Sequence, residues 1–106
     1  MGKKTNAKKE LLLAAKSKKI ECAELVIDAG RKKRRRLCLP ANYAKKEFDA
    51  FLEALDFKYD GIYNSDAIMG TIWFVDGSWA DREPDENWIF YWSVKKRPQV
   101  PDYLLG

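Results

Sequence analysis

Histidine is absent from this sequence, and cysteine, glycine and proline are sparse: two, six and four among 106 residues. Without histidine the commonest general base is missing, so Ser-His-Asp and Cys-His nucleophile systems and any His-ligated metal are excluded. Cys22 and Cys38 cannot complete a zinc site, which normally takes four ligands. They read as free thiols of a reducing compartment, with a disulfide geometrically open to them if their strands pair. Gly61, Gly70 and Gly77 are isolated turn residues and make no phosphate-binding loop. No apolar run approaches the roughly 20 residues of a membrane span. The block Leu11–Ala15, after the first lysines, is shorter than the roughly seven residues a secretory leader needs, and Lys16, Lys18 and Lys19 end it. The chain therefore reads as one soluble, intracellular, cytoplasmic domain with a single modest core.

What is abundant is charge, unevenly divided. Residues 1–37 carry 13 Lys/Arg and 4 Asp/Glu, a surplus of +9; residues 38–106 carry 7 and 12, a deficit of −5. The molecule is electrically bipolar, and that polarity is the most informative sequence feature about partners. The aromatics are concentrated too. All four tryptophans fall in the stretch Ile68–Val94. There Thr71–Val75 is a β-favouring run ending on Asp76-Gly77, the signature of a type I′ hairpin turn. After a polar break over Asp81–Asn87, a second run alternates, with Trp88, Phe90, Trp92 and Val94 on one face and Ile89, Tyr91 and Ser93 on the other.

In chain order, Met1–Asn6 reads as a disordered basic start, and Thr5 or Asn6 can cap a short helix over Ala7–Lys16 whose apolar side is Leu11, Leu12 and Ala15. Ile20–Asp28 is ambiguous, because Ala23-Glu24 disturbs its alternation. A helix from Ala7 through Ile27 would put Lys19 in the apolar stripe, so a strand is preferred. Ala29-Gly30 turns the chain into Arg31–Arg36 and the apolar Leu37–Leu39, the return strand of a hairpin that Pro40 ends. Asn42 can cap the best helix, Tyr43 to about Asp56, with Ala44, Phe48, Phe51, Leu52 and Leu55 at helical spacing. Phe57–Asp66 is a turn-rich connection, and residues 98–106 form an extended, proline-containing tail. The order α-β-β-α-β-β(β) predicts an α+β fold: an antiparallel sheet of four to five strands with one main helix packed on one face.

No catalytic signature is present, and the chain reads as a non-enzyme without cofactor or metal. Asp76, Asp81, Glu83, Asp85 and Glu86 cluster in sequence, but most fall in a polar hairpin connection where carboxylates are ordinarily solvated. The candidate binding residues are Arg31, Lys32, Lys33, Arg34, Arg35 and Arg36, with Trp79 and Trp88 as aromatic anchors. Three readings of the cations stand: protection of a strand edge, contact with phosphates or an acidic protein surface, and a nuclear-import pattern. The cations and the aromatics are segregated along the chain, so nucleic-acid binding would be backbone-driven and poorly sequence-specific. The tryptophans read first as cross-strand packing, though one helix cannot cover all of them, which leaves part of the aromatic surface for a protein partner or for self-association.

The segments FLEALDFKYD, GTIWFVDGSW and RPQVPDYL, spread over Phe51–Leu104, resemble the C-terminal part of small accessory proteins encoded by tailed phages. The resemblance covers about half the chain and rests on structural motifs: a helix end, an Asp-Gly hairpin and a proline-anchored tail. It implies a shared fold and an early or accessory protein that binds and modulates a host macromolecule, such as a defence or transcription component. It carries over no functional residue.

Overall fold

The computed structural model describes residues 4–28, 34–96 and 102–104. Arg31, Lys32 and Lys33, and most of the 98–106 tail, lie outside the described residues. The fold is α+β, as the sequence pattern predicts. Its five-stranded sheet runs β3-β2-β5-β6-β7, antiparallel throughout, from β2 (Ile20–Ile27), β3 (Arg35–Leu39), β5 (Ile68–Phe74), β6 (Trp79–Pro84) and β7 (Phe90–Lys95). Two short strands escaped the sequence pattern, β1 (Lys4–Asn6) and β4 (Lys58–Asp60). They pair with each other as a separate two-stranded sheet. The expected disordered start over Met1–Asn6 is thus corrected at Lys4, and the turn-rich Phe57–Asp66 connection contains a strand. Three-residue strands are too short to show a period of two.

Both helices cover one face of the large sheet. Helix α1 (Ala7–Ala15) begins where Asn6 accepts a hydrogen bond from Lys9 N at 3.0 Å, the capping its sequence predicts. It buries Ala7, Leu11 and Ala15, one residue per turn, and leaves Leu12 and Leu13 outward. Two alanines on that stripe let it lie close to the strands, so the weaker-looking helix is the more deeply seated one. Helix α2 (Lys45–Ala54) starts later than Asn42 suggests. Asn42 adopts a left-handed turn (φ 63°) after Pro40, while Glu47 Oε1 reaches back to Ala44 N at 3.0 Å. Phe51 and Leu55 enter the core that Leu11, Leu25, Leu39, Ile68, Ile72 and Phe74 fill.

Ile20–Ile27 is a strand, and its disturbed alternation has a local cause. The register against β5 slips between Ile20 and Cys22, a bulge that lets Ile20, Ala23, Leu25 and Ile27 all point inward. Gly70, expected in a turn, lies within β5 at φ 138°, where a Cβ would collide with the Glu24 carbonyl and lie 2.8 Å from Leu25 Cα. Only glycine permits that approach.

The aromatic stretch differs from its sequence reading in three places. Positive φ occurs at Gly77 (89°) and not at Asp76, so the first hairpin uses a three-residue loop closed by Gly77 N→Phe74 O (3.0 Å) and Phe74 N→Ser78 O (2.9 Å), not a type I′ turn. The polar break is overturned, because Asp81–Pro84 belongs to β6. The third concerns Trp88, which is not a strand residue. It occupies the left-handed position of a second loop of the same kind, with Trp88 N→Asp85 O at 3.0 Å and Asp85 N→Ile89 O at 2.9 Å, and β7 begins at Phe90.

Candidate functional site

The face of the sheet opposite the helices is open. Strand register places Arg36, Cys38, Glu24, Val26, Met69, Thr71, Trp73, Trp79, Asp81, Glu83, Tyr91, Ser93 and Lys95 on it. Its polar groups are largely paired across strands. Arg36 pairs with Glu24, which pushes the guanidinium pKa up. Thr71 Oγ1 donates to Asp81 Oδ1 at 2.7 Å, and Lys95 Nζ lies 3.0 Å from Asp81 Oδ2 and also bonds Glu83. Partial burial raises the Asp81 pKa, but the Thr71 hydroxyl and the Lys95 ammonium outweigh it and hold the carboxyl below its ordinary value. The Lys95 bond lowers Glu83 in turn.

Among these pairs lies a shallow groove of about 280 Å³, lined by Glu24, Val26, Arg34, Met69, Gly70, Thr71 and Trp73. Trp73 is 39% exposed and opposes Trp79 on the next strand. Cation and aromatic, far apart in the chain, come to line one groove because β3, which Arg34 precedes, and β5 flank the same strand, β2. The remaining candidate cations divide. Arg35 Nη2 donates to Ala54 O at 3.3 Å, a charge at the C-terminal end of α2, and Arg36 is committed to Glu24. Among the described residues Arg34 has no ion-pair partner and lines the groove.

The two tryptophans singled out by sequence are not brought together. Trp79 is half-buried on the open face, whereas Trp88 sits on the loop between β6 and β7, with β2, β5 and β6 between β7 and β3. Four strand spacings of roughly 4.8 Å separate those two edges. Trp88 therefore does not belong to the patch formed by Arg34, Arg36 and Trp73.

The sequence reading missed Arg82. Its side chain is fully buried on the helix-covered face: Nε donates to Ile68 O (3.1 Å), and Nη2 to Ser65 O (2.7 Å) and Tyr59 Oη (3.2 Å). Nη1 lies 3.2 Å from Glu10 Oε1 in an ion pair without hydrogen-bond geometry, and the guanidinium stacks 5.4 Å from the Trp92 ring centroid. Tyr59 donates to Glu10, and its burial pushes the phenol pKa up to about 12. This network ties α1, β4 and the segment before β5 to β6. Its one sequence signal is that Arg82 falls in phase with Ala80 on the inward side of the strand. With every other contact structural, the arrangement fits an anchor more closely than a reaction centre.

Among the described residues no three His, Cys, Asp or Glu gather to hold a metal, and no helix is long and apolar enough to cross a membrane. Cys22 and Cys38 are free thiols; burial raises the Cys22 pKa. Compared with family models, curated proteins and solved structures, the chain matches none.

Proposed function

We propose that this chain is a binding protein acting without catalysis, which docks a protein partner with an acidic surface on its open sheet face and basic β3 edge. The observation that carries this reading is the groove that Arg34 and Trp73 both line, a mixed cationic and aromatic surface of the kind that anchors protein interfaces. Arg31–Lys33 continue that charge in sequence. Together with the resemblance to phage accessory proteins, the proposal is that the partner is a host protein whose activity this chain modulates.

A nucleic-acid reading draws on the same groove, since its exposed indole suits a stacked base and its arginine a phosphate of the same strand. The carboxylates disfavour it. Glu24, Asp81 and Glu83 share the face and pair with Arg36 and Lys95, a mixed-sign surface that a protein partner with groups of both signs can complement and a uniformly charged phosphate backbone cannot. Affinity capture from nuclease-treated host lysate, with wild type beside a Trp73→Ala, Arg34→Ala variant, tests the proposal. A specific protein retained by wild type and lost by the variant is expected. Capture abolished by nuclease would instead favour nucleic acid, and capture indifferent to both substitutions would rule out this face.

A further inference from the structure

The two edges of the sheet are finished differently. β3 is blunted by cations, and Arg35 ties it to α2. β7 reads FYWSV over Phe90–Val94, strongly β-favouring and without a charge or a proline. The Asp85 N→Ile89 O bond and the β6–β7 register fix which way its backbone faces. Tyr91, Ser93 and Lys95 bond inward to β6, while Phe90, Trp92 and Val94 turn their N–H and C=O groups outward. Pro84, lacking an N–H, opposes Phe90 as that alternation requires, and Phe90 N–H is taken by Ser65 Oγ at 2.9 Å. Among the described residues nothing bonds the outward groups of Trp92 and Val94.

We infer that β7 is a self-association edge whose occupant is the β7 strand of a second copy of this chain, paired antiparallel about a two-fold axis near Ser93. With Phe90 N–H occupied, Trp92 of each copy exchanges its bonds with Val94 of the other, giving a continuous sheet. Charge selects this occupant. Antiparallel pairing carries exposed Lys96 of one copy toward the Asp85-Glu86 loop of the other, and the two-fold axis repeats that contact. Trp88, 77% exposed at the end of this edge in a conformation (φ 62°) that bulky residues seldom hold, becomes part of the contact.

Sedimentation equilibrium of the full chain over a concentration and salt series provides the test. A dimer that weakens with salt is expected. Lys96→Glu and Glu86→Lys should each weaken it at least about tenfold, and the double exchange should restore it. Val94→Pro removes an outward N–H without touching the β6 ladder, and should give a monomer with unchanged circular dichroism. A wild-type monomer up to about 1 mM would overturn the inference. So would a dimer indifferent to Val94→Pro, or one that the double exchange fails to restore.

Discussion

The β2–β3 and β6–β7 hairpins stand at opposite sides of one sheet and solve the same problems by different chemistry. The first carries Arg34, Arg35 and Arg36 where its return strand begins and is anchored by apolar packing, with Leu25 and Leu39 almost fully buried. The second is acidic at its tip, and its inward face is anchored by a buried arginine among polar partners. An apolar anchor contributes by leaving water, whereas a buried charge is stable only while every partner stays in place. The loops differ as well. Gly77 and Trp88 hold the same exposed position in two loops of one kind, and only the tryptophan holds it at a conformational cost. Of the two hairpins, it is the β6–β7 one whose anchor is polar and whose loop holds a bulky residue at positive φ.

Removing the polar anchor should have the largest effect. Arg82→Ala leaves Glu10 and three oxygen acceptors without their partner and is expected to cost on the order of 3–5 kcal/mol in urea unfolding. Leu39→Ala, its counterpart on the other hairpin, should cost about 2–5 kcal/mol. The two are told apart by Glu10→Gln, which should destabilise wild type but have a much smaller effect once Arg82 is gone.

Exchange at the loops comes next. Trp88→Gly should stabilise the fold by roughly 1 kcal/mol while weakening self-association, and Gly77→Ala should destabilise it by a similar amount. A Trp88→Gly protein that is less stable and still dimeric would show that the indole is held by its own chain. Arg35→Ala, which loses only the contact with Ala54 O, should change stability by a few tenths of a kcal/mol.

The pH dependence separates two further groups. Asp76 is held down to about 2 by the Ser78 hydroxyl and N–H, with Lys18 adding to it. A carboxylate with a depressed folded-state pKa contributes stability above its ordinary value near 3.9, lost as pH falls toward 2. Asp76→Asn should flatten that acid limb of thermal unfolding. Tyr59 is raised to about 12, so its contribution is full below pH 10 and lost as pH rises through 12. Tyr59→Phe should remove that alkaline limb.

Much of the fold was legible where a pattern ran long enough to repeat. Phe48, Phe51, Leu52 and Leu55 marked α2, and Phe90, Trp92 and Val94 marked the inward face of β7. The Ile20–Ile27 strand was legible once Lys19 argued against a helix. Trp88 was misplaced because a tryptophan next to an alternating run looks like its first member, and nothing local announces a left-handed conformation in a bulky residue. Asp81–Pro84 was read as a connection because charge and proline together mimic a loop. An arginine signals burial only through partners that lie in other elements.

The amino-acid sequence by itself determined the α+β class, the rough order of helices and strands, and the division of charge between the two ends of the chain. Those follow from short-range periodicity and composition, which every residue carries with it. Tertiary structure alone decided that Arg34 and Trp73 would line one groove, that Trp79 and Trp88 would part, and that Arg82 would be buried against Glu10 and Tyr59. Each depends on which strands become neighbours across the sheet, and that is settled by the packing of one shared core rather than by any segment alone.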